Sequence, residues 1–165
     1  TDMFQPLGVA VGNALEVEES LACLQGRGPQ SLRKLVLELS GEPEKAARVL
    51  DNGKAYGVFR AMVEAQGGDL NAPLKGGGCE RWVMKSEFSG VLRRCDALMV
   101  GQASFDLGAG REKAADPVHH GVGVLVHAHV GDSVELGQPL ATVVHQGSGL
   151  EAAKLALSNA FSLEA

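Results

Sequence analysis

Residues 1–19 read TDMFQPLGVAVGNALEVEE, a run in which turn formers give way to a helical pattern. Asp2, Gln5, Pro6 and Gly8 are turn formers. Pro6 has no amide proton to donate, and Gly8 and Gly12 reach backbone angles closed to other residues. Asn13 can cap a following helix, because its side-chain oxygen accepts from first-turn amides. Glu16 stands three residues later, at capping-box spacing, although the box prefers Ser or Thr at the cap. Glu16, Glu18 and Glu19 put negative charge near the positive end of the helix dipole. The stretch therefore predicts a tight loop feeding a helix. A loop so constrained either serves a site or does no more than start the helix.

The first half of the chain continues as helices. Residues 14–24 carry Leu15, Leu21, Ala22 and Leu24 and stop at Gly26. Gly28-Pro29 opens a second helix, with Pro in the first turn and an apolar face of Leu32, Leu35, Val36 and Leu39. Residues 42–50 form a short helix ended by Asn52-Gly53. Residues 54–66 form the next, with Val58, Phe59, Met62 and Val63 inward and Gly67-Gly68 as its C-cap. From Gly68 the character changes, and Gly76-Gly77-Gly78 marks a flexible link. Beyond it, residues 88–92, 121–129, 133–136 and 139–144 read as short strands. Val124, Val126, Ala128 and Val130 form one face, with Leu125, His127 and His129 on the other. Turns fall at 130–132 and 136–138, and residues 150–161 form a last helix. The fold class is α+β: a helical segment over 1–67, a linker over 68–78, and a small C-terminal domain over 79–165 with a barrel-sandwich-like antiparallel sheet.

Composition limits the function. A length of 165 residues suits one domain or slightly more. With one Trp, one Tyr and five Phe, the core must be mostly Leu, Val and Ala. A net charge of −5 argues against a basic nucleic-acid footprint. No apolar run reaches the roughly 18 residues of a membrane span, and there is no signal peptide. The chain starts at Thr1, so a longer or cleaved protein is expected. Cys23, Cys79 and Cys95 lie far apart without CxxC spacing, which argues against zinc or a disulfide framework and fits a reducing cytosol.

Four stretches occur in a telling order. They are TDM-x-Q-P-L-G-x-x-x-G-N-A-L-E-V-x-E at the start, VLDNGKAYGVFRAMVEAQG over 49–67, LGAGREKAADPVHHGVG over 107–123, and VGDSVELGQPLATVV over 130–144. Together they resemble the C-terminal portion of the pyrimidine-nucleoside phosphorylases, the thymidine phosphorylases above all. Phe4 stands where that family usually has Asn, the chain is short of a family helix between Ser40 and Glu42, and residues 70–88 match poorly. The resemblance implies phosphorolysis of thymidine or uridine with phosphate as co-substrate, in a cytoplasmic homodimer. It implies that residues 1–67 are the helical end of the family's larger α/β, phosphate-binding domain, and that the catalytic groups lie upstream of this chain. It also implies a K⁺ ion held by the backbone carbonyls of Leu7 and Ala10 and the carboxylate of Glu19. Hard cations take oxygen ligands, and Pro6 and Gly8 bend the chain so that two carbonyls three residues apart can converge.

Other readings compete. A non-catalytic module of the same fold binding a protein partner is the principal alternative. VGDSVELGQPLATV also resembles biotinyl and lipoyl carrier domains, which need a Lys at the hairpin tip after this strand. Residues 145–149 (HQGSG) have none, and Lys85 in Val83-Met84-Lys85 precedes the motif. Gly108-Ala109-Gly110-Arg111 could cradle an anion, but Arg111 reads as structural, paired with Asp116 or Glu112. His119-His120 and His127-x-His129 lack a third ligand at metal spacing and read as surface histidines.

Overall fold

Gly26 and Gly67 end their helices by the same device. Arg27 N donates to the Ala22 carbonyl (2.8 Å) and Gly26 N to the Cys23 carbonyl (3.0 Å); Gly68 N and Gly67 N repeat the pattern to Val63 (2.9 Å) and Glu64 (3.0 Å). This cap needs a left-handed residue, and Gly26 and Gly67 have φ of 75° and 78°. The computed structural model describes residues 4–72, 78–111 and 113–164. Asp2, Gly76, Gly77 and Glu112, named above, lie outside the described residues. The chain divides into a helical unit, whose described residues are 17–72, and a sheet unit, whose described residues are 4–16 with 78–111 and 113–164.

A two-residue strand, β1 (Ala10–Val11), leads into α1 (Asn13–Leu24), whose first turn belongs to the sheet unit. The helical unit continues with α2 (Gln30–Leu39), α3 (Pro43–Asp51) and α4 (Lys54–Ala65). Pro29 is the N-cap residue of α2 rather than part of its first turn, while Pro43 opens α3. The expected inward faces are covered only in part: Leu32, Leu35, Phe59 and Val63 are half-buried, whereas Leu39 is 71% and Val58 70% exposed, and Val36 and Met62 are also exposed.

The sheet unit holds β2 (Glu80–Lys85), β3 (Gly90–Cys95), α5 (Ala97–Ser104), a π-helical turn (Phe105–Ala109), β4 (Gly123–Val126), β5 (Ser133–Val134), β6 (Pro139–His145), α6 (Leu150–Ala160) and β7 (Phe161–Glu164). One antiparallel sheet has the order β1-β4-β6-β2 and the other β5-β3-β7. The architecture is thus α+β with two antiparallel sheets and no closed barrel among the described residues. Its core is Leu, Val and Ala as composition required, with Leu92, Val100, Leu107, Val122, Val124, Val143 and Leu157 wholly or almost wholly buried. Strand β6 is buried from Leu140 to His145, as expected of a central strand flanked by β4 and β2.

Several expectations need correction. The strand over 121–129 is only Gly123–Val126; Val124, Val126 and Ala128 are buried as an alternating face, but Val130 is 46% exposed in the turn that follows. The strand expected over 88–92 is Gly90–Cys95. The last helix stops at Ala160, and Phe161 turns extended to pair with Cys95. Strand β2 and helix α5 are additional to the elements expected from the sequence.

Candidate functional site

The opening loop is fastened within the sheet unit at Phe4, Gln5 and Val9 to Val11. Ala97 N donates to the Phe4 carbonyl (3.2 Å), Val130 N to Gln5 Oε1 (3.3 Å), and Val126 N to the Val9 carbonyl (2.7 Å). Strand β1 then pairs with β4, Ala10 opposite Leu125 and Val11 opposite Val124. Bonds in an antiparallel ladder alternate in direction, so with the Val9 carbonyl aimed at β4 the Ala10 carbonyl points off that ladder. Leu7 is exposed, between the anchors at Gln5 and Val9.

The loop's far end meets the stretch over 107–123 at Ala109 and His120. Asn13 Nδ2 donates to the Ala109 carbonyl (2.8 Å), and Ala14 N donates to the His120 carbonyl (2.9 Å). Asn13 is therefore the first residue of α1 rather than its cap. The first-turn amide of Ala14 is satisfied by a distant carbonyl, and Glu16 Oε1 accepts from Gly12 N (2.9 Å). A Cβ on Gly12 would lie 2.6 Å from the Val122 carbonyl oxygen and 3.0 Å from Gly123 Cα, so only glycine lets these two segments cross.

Of the expected cation ligands, Leu7 and Ala10 belong to this loop, within the sheet unit; Glu19 is half-buried on α1, within the helical unit. Burial first, then the Glu19 carboxylate one turn away, pushes the Cys23 thiol above its usual range, while Arg33 opposes that shift. The chemistry of the set, two carbonyl oxygens and one carboxylate, fits a hard monovalent cation.

The remaining candidates resolve into structural roles. Arg111 Nη1 donates to the Ala114 carbonyl (3.2 Å), not to Asp116, whose Oδ2 accepts from Lys113 N (2.8 Å). His127 Nε2 shares a hydrogen bond with Thr142 Oγ1 (2.7 Å), and burial, reinforced by Arg81, holds its imidazole below the usual range. His129 Nδ1 lies 3.8 Å from Asp132 Oδ2. Burial beside Asp96 pushes the Cys95 thiol up to about 12, which leaves it unreactive. Strand β6 runs into α6 rather than into a hairpin, so the position of a carrier's lysine does not exist here; Lys85 ends β2 opposite Pro139. Sequence reasoning missed a cleft of about 720 Å³ in the sheet unit, lined in part by Trp82, Phe88 and Leu155. There Lys154 Nζ sits 5.2 Å from the centre of the Trp82 ring and 2.7 Å from Glu151 Oε1. Its walls come from β2 and the turn after it, α6 and β7, with Leu140 of β6, and of these only α6 and β6 carry a clear sequence signal.

Comparison with known proteins fits this arrangement. Residues 91–164 match the family described as the pyrimidine nucleoside phosphorylase C-terminal domain. A thymidine phosphorylase of Mycobacterium tuberculosis is 42% identical over 151 residues, covering 87% of this chain and 35% of that protein. A pyrimidine-nucleoside phosphorylase of Bacillus subtilis is 36% identical over 161 residues, covering 87% and 37%. One from Staphylococcus epidermidis is 33% identical over 182 residues, covering 99% and 42%. The last span exceeds the 165 residues of this chain, so that relative carries residues inside the matched region which this chain lacks. The chain spans little more than a third of the length of the relatives it matches. These matches make the end of the chain a nucleoside phosphorylase C-terminal domain preceded by helices. The chain belongs to the pyrimidine-nucleoside phosphorylase family and corresponds to its C-terminal portion.

Proposed function

We propose that the full-length protein is a pyrimidine-nucleoside phosphorylase that converts thymidine or uridine and phosphate into the free base and the pentose 1-phosphate. The observation that supports this most is the seating of the opening motif on the segment over 107–123, since both stretches carry the family resemblance. In this reaction a phosphate oxygen attacks the anomeric carbon, the glycosidic C–N bond breaks, and the pyrimidine leaves with its bonding electrons and takes up a proton. Phosphate is itself the nucleophile, so the protein's task is to position two substrates and stabilise charge. In this reading the groups that hold nucleoside and phosphate come from the part of the protein upstream of these residues. The Leu7 and Ala10 carbonyls and the Glu19 carboxylate hold a K⁺ ion, which supplies positive charge for phosphate. The same reading makes the protein a cytoplasmic homodimer.

The test is phosphate-dependent release of thymine or uracil by the purified full-length protein. Release well above a no-protein blank, rising with K⁺, is expected; the 165-residue chain alone should give none. A full-length protein that leaves both nucleosides intact overturns the reading.

A further inference from the structure

Aromatic side chains are scarce in this chain, at one Trp, one Tyr and five Phe, yet Trp82, Phe88 and Phe161 line a single cleft of the sheet unit. Phe161 is buried, Trp82 half-buried and Phe88 exposed, so aromatic surface runs from the core out to solvent. The volume of about 720 Å³ lies within the roughly 300–1,000 Å³ of small-molecule sites. Aromatic walls favour a flat ring, because offset-stacked and edge-on rings gain more than the area they bury.

The charges that line the cleft select the ring's chemistry. Lys85 and Lys154 are balanced there by Glu87 and Glu151. A charged ligand would give up hydration without meeting a net opposite charge, so this balance favours a neutral one. Lys154 Nζ and Glu151 Oε1 stand 2.7 Å apart, and the ammonium lies 5.2 Å from the centre of the Trp82 ring. An ammonium only donates and a carboxylate only accepts, so the pair presents a donor beside an acceptor next to an aromatic surface. A lactam edge, C=O beside N–H within a ring, is the complement: its carbonyl accepts from Lys154 and its N–H donates to Glu151. We propose that this cleft binds a neutral planar heterocycle with a lactam edge, the chemistry of uracil and related rings. The inference stands on the cleft itself, since the phosphorylase reading places nucleoside and phosphate in the upstream part of the protein.

Trp82 is the single Trp of these residues, so its indole N–H reports on the cleft. In the full-length protein its NMR resonance is identified by its loss in Trp82→Phe. Uracil should shift that resonance saturably, with a Kd below about 1 mM. 1,3-Dimethyluracil keeps the ring and both carbonyls but has no N–H, and should bind at least about fivefold more weakly. Phe88→Ala removes one exposed wall and should raise the Kd for uracil at least about fivefold, while Phe88→Tyr restores it. No shift up to about 10 mM uracil overturns the proposal, as does equal binding of 1,3-dimethyluracil. An unaltered Kd in Phe88→Ala also overturns it, because the ring then binds elsewhere. Tighter binding of benzoate or benzylamine overturns the neutral class of ligand. Nucleoside phosphorolysis by the same sample keeps the two readings apart. Activity with an unresponsive Trp82 removes the cleft site alone, and a saturable shift without activity removes the phosphorylase alone.

Discussion

Gly12 shows how a single missing Cβ decides where the opening loop can go. Its φ of 141° and the 2.6 Å that would separate an added Cβ from the Val122 carbonyl oxygen act together, and Gly123 faces it across the same crossing. Gly12→Ala combines a disfavoured backbone angle with overpacking, and is expected to destabilise the protein by roughly 2–4 kcal/mol. Urea unfolding checks this; a loss under about 0.5 kcal/mol would mean that the crossing is loose. The sequence marks Gly12 as special through its place in the motif, but it misleads at Asn13, whose type suits a cap. The partner that draws Asn13 away, the Ala109 carbonyl, is 96 residues distant and invisible to local reasoning. His127 carries a pH consequence. Its folded imidazole is held below the ordinary 6.5 by burial and by Arg81, so the unfolded chain binds more protons there than the folded one. The resulting stability is complete above pH 6.5 and is lost as pH falls below it toward the folded value. Melting temperature should therefore drop from about pH 7.5 to about pH 5.5 by more in the wild type than in His127→Gln. Equal drops would show that His127 titrates alike in both states.

At the level of secondary-structure elements, the chain announces those whose signals are local. Gly26 and Gly67 mark two helix ends, and the apolar run over 139–144 marks the central strand. Strand β2 escapes because Arg81, Val83 and Lys85 dilute the pattern made by Trp82 and Met84. Strand β7 escapes for a different reason. Helical periodicity runs on through Phe161, and only the pairing of Phe161 with Cys95 ends the helix. The Trp82–Lys154 cleft was illegible for the same cause, since its walls are long-range products of those two strands. Helix α5 starts at Asp96, whose carboxylate accepts from Leu98 N (3.0 Å) and Met99 N (3.1 Å) while its own amide donates to the Ala160 carbonyl (2.9 Å). Asp96→Ala removes the cap and should cost about 1 kcal/mol, within a range of roughly 0.5–2. Asp96→Asn should recover most of that in the same denaturation series. A variant Asp96→Ala as stable as the wild type would show that the cap is replaced by water.

For the molecule as a whole, the contrast in burial between the two units governs which part opens first. The sheet unit owns the continuous core of Leu, Val and Ala, whereas α2 to α4 contain no fully buried residue, so local opening in the isolated chain should concentrate in the helices. Dilute trypsin acting on the 165-residue chain is therefore expected to cut first between residues 25 and 72, where Arg27, Arg33, Lys34, Lys45, Arg48, Lys54 and Arg60 offer sites. The cut should not free the opening loop. Its pairing with β4 and its bonds to Ala97, Ala109, His120 and Val130 all lie inside the sheet unit, so the N-terminal fragment should co-elute with the fragment containing residues 91–164 on gel filtration. Mass spectrometry of the eluted peak reads the result. A first cut at Arg93, Arg94 or Lys154, or an N-terminal fragment that elutes alone, would mean that the loop and the sheet unit do not form one cooperative body.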